Sequence, residues 1–163
     1  MEYLLWFSFG IFSAYLLLIY LLFGWIKSIS QSYYEFKERY GNKWTWLFTV
    51  TLILFAFPIM IYGLTTFDSS TFQFLFFLAP MGIIFTSVAP QFKESLTNRV
   101  HYIGAVVGII SGMLALLLIL NLYMVVCAWL VTIGMLSILK INNKTYWIEV
   151  ISFYTIIICL LLN

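Results

Sequence analysis

His101, Glu149, Arg99 and Glu94 are the residues whose types and spacing could do chemistry in this chain. Gln91, Lys93, Glu94, Arg99 and His101 crowd one short turn between two apolar runs, and Glu149 stands about one turn inside a third. Ionisable groups that deep in an apolar segment are costly and are commonly paired or functional. Imidazole titrates near neutral pH, so a His101–Glu149 pair would shuttle protons or bind a lipid headgroup. As a plain interfacial ion pair it would instead fix two helices. Pro80 and Gly82 form a second candidate, because a Pro-x-Gly break at mid-membrane frees carbonyls that can line a transport site. Packed as a simple kink, the same pair would have no ligand.

Other chemistries fall away on residue types alone. A Ser-His-acid triad would have to use His101, and no serine stands in a nucleophile-elbow context. One histidine cannot ligate haem twice or complete a zinc site, so neither a metal nor another cofactor is expected. No Gly-rich phosphate loop follows a strand. Asp68 is the sole aspartate, which removes the paired intramembrane aspartates of a protease. Cys127 and Cys159 would both lie near the outer boundary, where a disulfide is conceivable and two small buried apolar residues are the simpler reading.

The elements that must position these groups are written in the composition. Apolar residues make up 64 % of 163 residues and charged ones 9 %, against about 45–50 % and 25 % in soluble chains. Six apolar stretches can be read, at 3–26, 44–64, 72–89, 101–119, 122–139 and 146–162. Threaded in alternation, they leave Lys27, Lys37, Arg39, Lys43, Lys93, Arg99, Lys140 and Lys144 on one face and only Glu2 and Asp68 on the other. Basic residues of short loops stay cytoplasmic, so both termini are expected outside. The first stretch has no positive n-region and is too long for a signal peptide. The expected fold is an all-α bundle of six transmembrane helices. A bacterial inner membrane is the expected location, and no nucleic-acid partner is expected.

Several local features refine that frame. Tyr33, Phe36 and Tyr40 recur at helical spacing, Ser32 and Glu35 fit a capping box, and Glu35–Arg39 is a favourable i,i+4 pair. They predict a short amphipathic helix over about 33–40 on the cytoplasmic surface, ended by Gly41. Pro58 should kink the second span, and Asp68 to Thr71 should cap the third. The run 101–140 would be about 60 Å long as one helix, so it must turn back, best at Asn121. Gly104, Gly108 and Gly112 lie on one helix face and would let another helix approach closely, from this chain or from a second copy. The phenylalanines of 72–92 could form a sleeve for an acyl chain, or face lipid and core.

Two patches resemble a known group. Ser28-Ile-Ser30 with Tyr33-Tyr34, and Val100-His101-Tyr-Ile-Gly-Ala105, are similar to segments of small six-span membrane proteins of the Frag1/DRAM/Sfk1-like type and bacterial relatives. The resemblance covers about 20 residues, implies six spans, and carries no activity with it. The functional expectation is a non-enzymatic bundle that binds or passes an apolar or lipid-like molecule, with membrane lipids as partners and the protein as a monomer or homo-oligomer. Two rivals are an accessory subunit docking on a membrane protein through the Gly104/Gly108/Gly112 face, and a lipid-modifying enzyme using His101 as base.

Overall fold

The computed structural model describes residues 1–91, 94–139 and 141–163, with the side chains of 91–98 left outside the description. Seven α-helices and no strand are found among the described residues. They are α1 (Glu2–Phe23), α2 (Gln31–Tyr40), α3 (Trp46–Thr66), α4 (Leu75–Val88), α5 (Glu94–Leu118), α6 (Tyr123–Ile138) and α7 (Lys144–Leu161). The all-α fold is therefore as expected. Four segments are long and apolar enough to cross a membrane: Glu2–Phe23, Asn42–Thr66, Arg99–Leu118 and Lys144–Leu161. The stretches read at 72–89 and 122–139 yield helices of only 14 and 16 residues, about 21 and 24 Å. Four of the six stretches thus form helices of spanning length, and the other two form shorter apolar helices.

Apolar side chains from α1, α3 and α7 make the centre. Phe12, Phe55 and Phe153 meet in a cluster with ring centroids 4.6 to 5.6 Å apart, and Phe12 and Phe55 are fully buried. Such offset and edge contacts add about 0.5–1.5 kcal/mol per pair beyond burial. Ser8 of α1 is buried there with its hydroxyl unpartnered among the described residues, while other polar side chains find partners nearby. Thr49 donates to the Ser87 carbonyl at 2.9 Å, tying α3 to α4, and Ser13 meets the Tyr154 hydroxyl at 2.7 Å, tying α1 to α7. The four phenylalanines Phe72, Phe74, Phe77 and Phe85 are exposed while Phe76 stacks on Phe67. They form an outward surface, not a sleeve.

The small residues of α5 are used inside the chain. A Cβ on Gly104 would come 2.9 Å from the Gly82 carbonyl oxygen, and one on Gly108 3.2 Å from the Ala79 carbonyl oxygen, so α4 lies directly on this face. Gly112 faces Ile156 of α7. The face offered above for a second copy or partner is filled by α4 and α7.

Two local expectations are overturned. α4 is continuous helix through Pro80 and Gly82, with Gly82 wedged against the α5 backbone. The turn before α4 does not cap it from Asp68 or Thr71; instead Ser70 accepts the Phe72 N–H at 3.2 Å and helical turns lead into Leu75. The reversal at Asn121 is present, with Asn121 at φ 55° and the Leu122 N–H returning to the Leu116 carbonyl. That left-handed conformation suits asparagine better than most residues.

Candidate functional site

A cavity of about 470 Å³ opens between the α1–α2 loop, α5, α6 and the start of α7. Its polar end is built from Ser28, Ser30, His101, Thr145 and Glu149, and its apolar wall from Ala105, Val106, Ile109 and Ile110 of α5, Trp129 and Ile133 of α6, and Ile148.

The loop is fixed first. Gly24, at φ 70°, ends α1 and lets the chain leave sideways. Helix α7 begins with amides that have no partner within the helix; the Tyr146 N–H donates to the Lys27 carbonyl at 2.9 Å. Two residues on, the Ile29 N–H donates to Glu149 Oε2 at 2.7 Å. Ile26 and Ile29 are buried, and Trp25 packs on Tyr146 and Trp147. The Ser28 and Ser30 hydroxyls, 2.9 Å apart, are thereby held at the cavity rim.

Helix α2 supports the loop from the other side. The predicted capping box does not form: Ser32 donates to the Ile29 carbonyl and meets the Tyr15 hydroxyl, while Glu35 takes the Gln31 amide. The Glu35–Arg39 pair forms at 3.5 Å. Arg39 also donates to the Leu22 carbonyl and lies over the Phe23 ring, so its charge sits at the carbonyl end of α1, where a cation is favoured. Gly41, at φ 76°, ends α2 as expected.

His101 owes its position to Pro90. A proline at that place has no N–H to give the Thr86 carbonyl, and His101 Nδ1 takes that carbonyl at 3.2 Å. The bond requires the proton on Nδ1, which leaves Nε2 as a free ring nitrogen. The Thr86 hydroxyl closes the arrangement by donating to the Gly82 carbonyl at 2.9 Å.

The structure brings His101 and Glu149 into one cavity, but among the described residues the only ion pair is Glu35–Arg39. The partner of Glu149 is a backbone amide 120 residues away. Arg99 is exposed and does not line the cavity. The side chain of Glu94 lies outside the described residues. Pro80 and Gly82 are buried in the α4–α5 contact, away from the cavity. Cys127 is exposed, Cys159 buried, and both are free thiols.

Sequence reasoning missed Trp129 and Thr145 as cavity residues, and took Ser28 and Ser30 only as part of a resemblance. Trp129 carried a signal: a tryptophan in mid-span needs a partner for its N–H, and it finds Ser152 Oγ at 2.9 Å. No protein-family model matches the chain, and neither a curated protein nor a solved structure is similar to it.

Proposed function

We propose that the chain is a six-span membrane bundle that holds a single-chain amphiphile, with its head among Ser28, Ser30, His101 and Glu149 and its tail along α5 and α6. The carrying observation is the shape of the cavity, polar at the end where the basic loops gather and apolar along the α5–α6 cleft. The α5 wall of that cleft is exposed: Tyr102 is 71 % exposed and Ile110 50 %. An aliphatic tail could enter it from a bilayer without crossing a polar barrier.

The shorter helices fit this reading with small additions. Helical turns from Ser70 and a 3₁₀ turn at Ala89–Gln91 lengthen α4 toward the ~30 Å of a hydrocarbon core. Cytoplasmic placement of the basic loops puts both termini outside. Thr65 of α3 touches Met1, as antiparallel neighbours would. The Ser28–Ser30 and His101–Ala105 patches, which carry the resemblance to Frag1/DRAM/Sfk1-like proteins, meet at the same cavity. A cytoplasmic bacterial membrane suits such a layout.

Native mass spectrometry of protein released from nanodiscs tests the proposal. The wild type is expected to retain an amphiphile that Ala105→Phe, which fills the cleft, releases while the fold is kept. A bare wild-type protein under the gentlest release, or an amphiphile retained by the filled variant, would sink it.

A further inference from the structure

Glu149 is 7 % exposed, and its Oε2 is held by the Ile29 amide. Among the described residues its Oε1 receives no hydrogen bond, although the side chain lines the cavity. That oxygen is open to the cavity, so a donor brought by a ligand can reach it. His101 presents a second acceptor of the same kind: with the Nδ1 proton engaged on Thr86, the other ring nitrogen accepts when the ring is neutral. Among the described residues no lysine or arginine lines this cavity, and Lys27, Arg99 and Lys144 are exposed. The serine hydroxyls at the rim accept as well as donate. Tyr102 and Trp129 line the same cavity.

Among the described residues the polar end therefore offers several acceptors, its only donors being hydroxyls, and carries one carboxyl with no counter-charge. An anionic head would meet Glu149 without a cation to offset it. An alcohol would satisfy one acceptor. A primary ammonium brings three donors and a positive charge, and remains protonated at neutral pH with an amine pKa near ~10.4.

Resting on the amphiphile reading above, we infer that the cavity selects an amphiphile with a primary ammonium head, through Glu149 Oε1 and the free His101 nitrogen. That chemistry is shared by ethanolamine lipids of the bilayer and by free long-chain amines.

The test uses the full chain in phosphatidylcholine nanodiscs, with binding of dodecylamine, dodecanol and dodecyl sulfate measured by calorimetry against empty discs. Dodecylamine should bind at least tenfold tighter than the other two. Glu149→Gln, whose amide oxygen can still accept from Ile29, should erase that preference. If the variant fails to fold, the wild-type series alone decides. Replacing the disc lipid by phosphatidylethanolamine separates the sources: weakened dodecylamine binding assigns the site to the lipid head, and unchanged binding assigns it to a free amine. Equal binding of amine and alcohol, a preference for the sulfate, or an intact amine preference in Glu149→Gln would overturn the ammonium assignment and leave an amphiphile site standing. If none of the three probes binds, the amphiphile reading falls as well.

Discussion

Replacing Gly82 by alanine should push two helices apart. The added Cβ would lie 2.6 Å from the Gly104 carbonyl oxygen and 2.7 Å from the Gly108 Cα. Both are backbone atoms, so no side chain can swing aside. Restoring a separation of about 3.5–4.0 Å requires α5 to retreat by about 1 Å, and a gap of that size forfeits a quarter to a half of each contact's ~0.1–0.2 kcal/mol. Over the few tens of atom pairs of a close helix crossing, the loss comes to about 1–3 kcal/mol, within the range of overpacking costs. Gly134 supplies the control, because nothing lies within 4 Å of its Cβ position. Alanine there removes only the entropic handicap of glycine in a helix and should stabilise by about 0.5–1 kcal/mol. Thermal unfolding in a mild detergent, followed by gel filtration of the soluble fraction, would read the difference. Gly82→Ala should melt roughly 5–10 °C lower, and Gly134→Ala at or slightly above the parent. A Gly82→Ala protein as stable as the parent would mean that α4 does not cross α5 at these glycines.

Three other substitutions probe separate parts of the structure. Glu149→Ala leaves the buried Ile29 amide without its acceptor and should cost about 1–3 kcal/mol, whereas Glu149→Gln should cost less than half as much in the same melt; equal losses would show that the amide bond is not what matters. Asn121→Val forces a β-branched residue to φ 55° and should destabilise the α5–α6 turn by about 1–2 kcal/mol, while Asn121→Gly should be neutral, a contrast that limited proteolysis of the turn can read. Trp129→Phe removes the donor to Ser152 and should loosen α6 by about 1 kcal/mol, seen as faster cleavage in α6 with α3 unaffected.

The parts of the fold that hydropathy and turn chemistry decide were legible before any coordinates. Asn121 marks the reversal because an apolar run twice the bilayer thickness has to fold somewhere, and asparagine tolerates the left-handed turn. Gly41 and the Glu35–Arg39 pair set out α2 for equally local reasons. Pro80 was misleading: a proline breaks a helix only where the neighbours permit, and α4 continues past it along the Gly82–Gly104–Gly108 contact. Ser32 was misread for a related reason, since its hydroxyl turns inward to Tyr15 and so cannot cap α2. The site was half legible. His101 and Glu149 were visible as costly residues at the edge of apolar stretches, and they do share a cavity. Their partners were not, because the Ile29 amide and the Thr86 carbonyl are backbone groups that carry no signature of residue type. Pro90, four residues beyond Thr86, was the one clue that a carbonyl there would be free.

Helix α6 buries only Val126 and measures about 24 Å, against a hydrocarbon layer of about 30 Å. In the proposed six-span arrangement a crossing that short imposes hydrophobic mismatch: the surrounding lipid must thin, or the flanking residues must reach outward, at a cost of fractions of a kcal/mol per Å. With so little of α6 held by the rest of the bundle, that cost bears directly on the docking of α6 and on the cleft it closes with α5. A thin bilayer would relieve it and let α6 stand flush in its own leaflet-to-leaflet distance. A thick one would have to thin around α6 or pull its flanking residues outward, loosening its docking, so bilayer thickness itself would tune how wide this protein opens to the lipid around it.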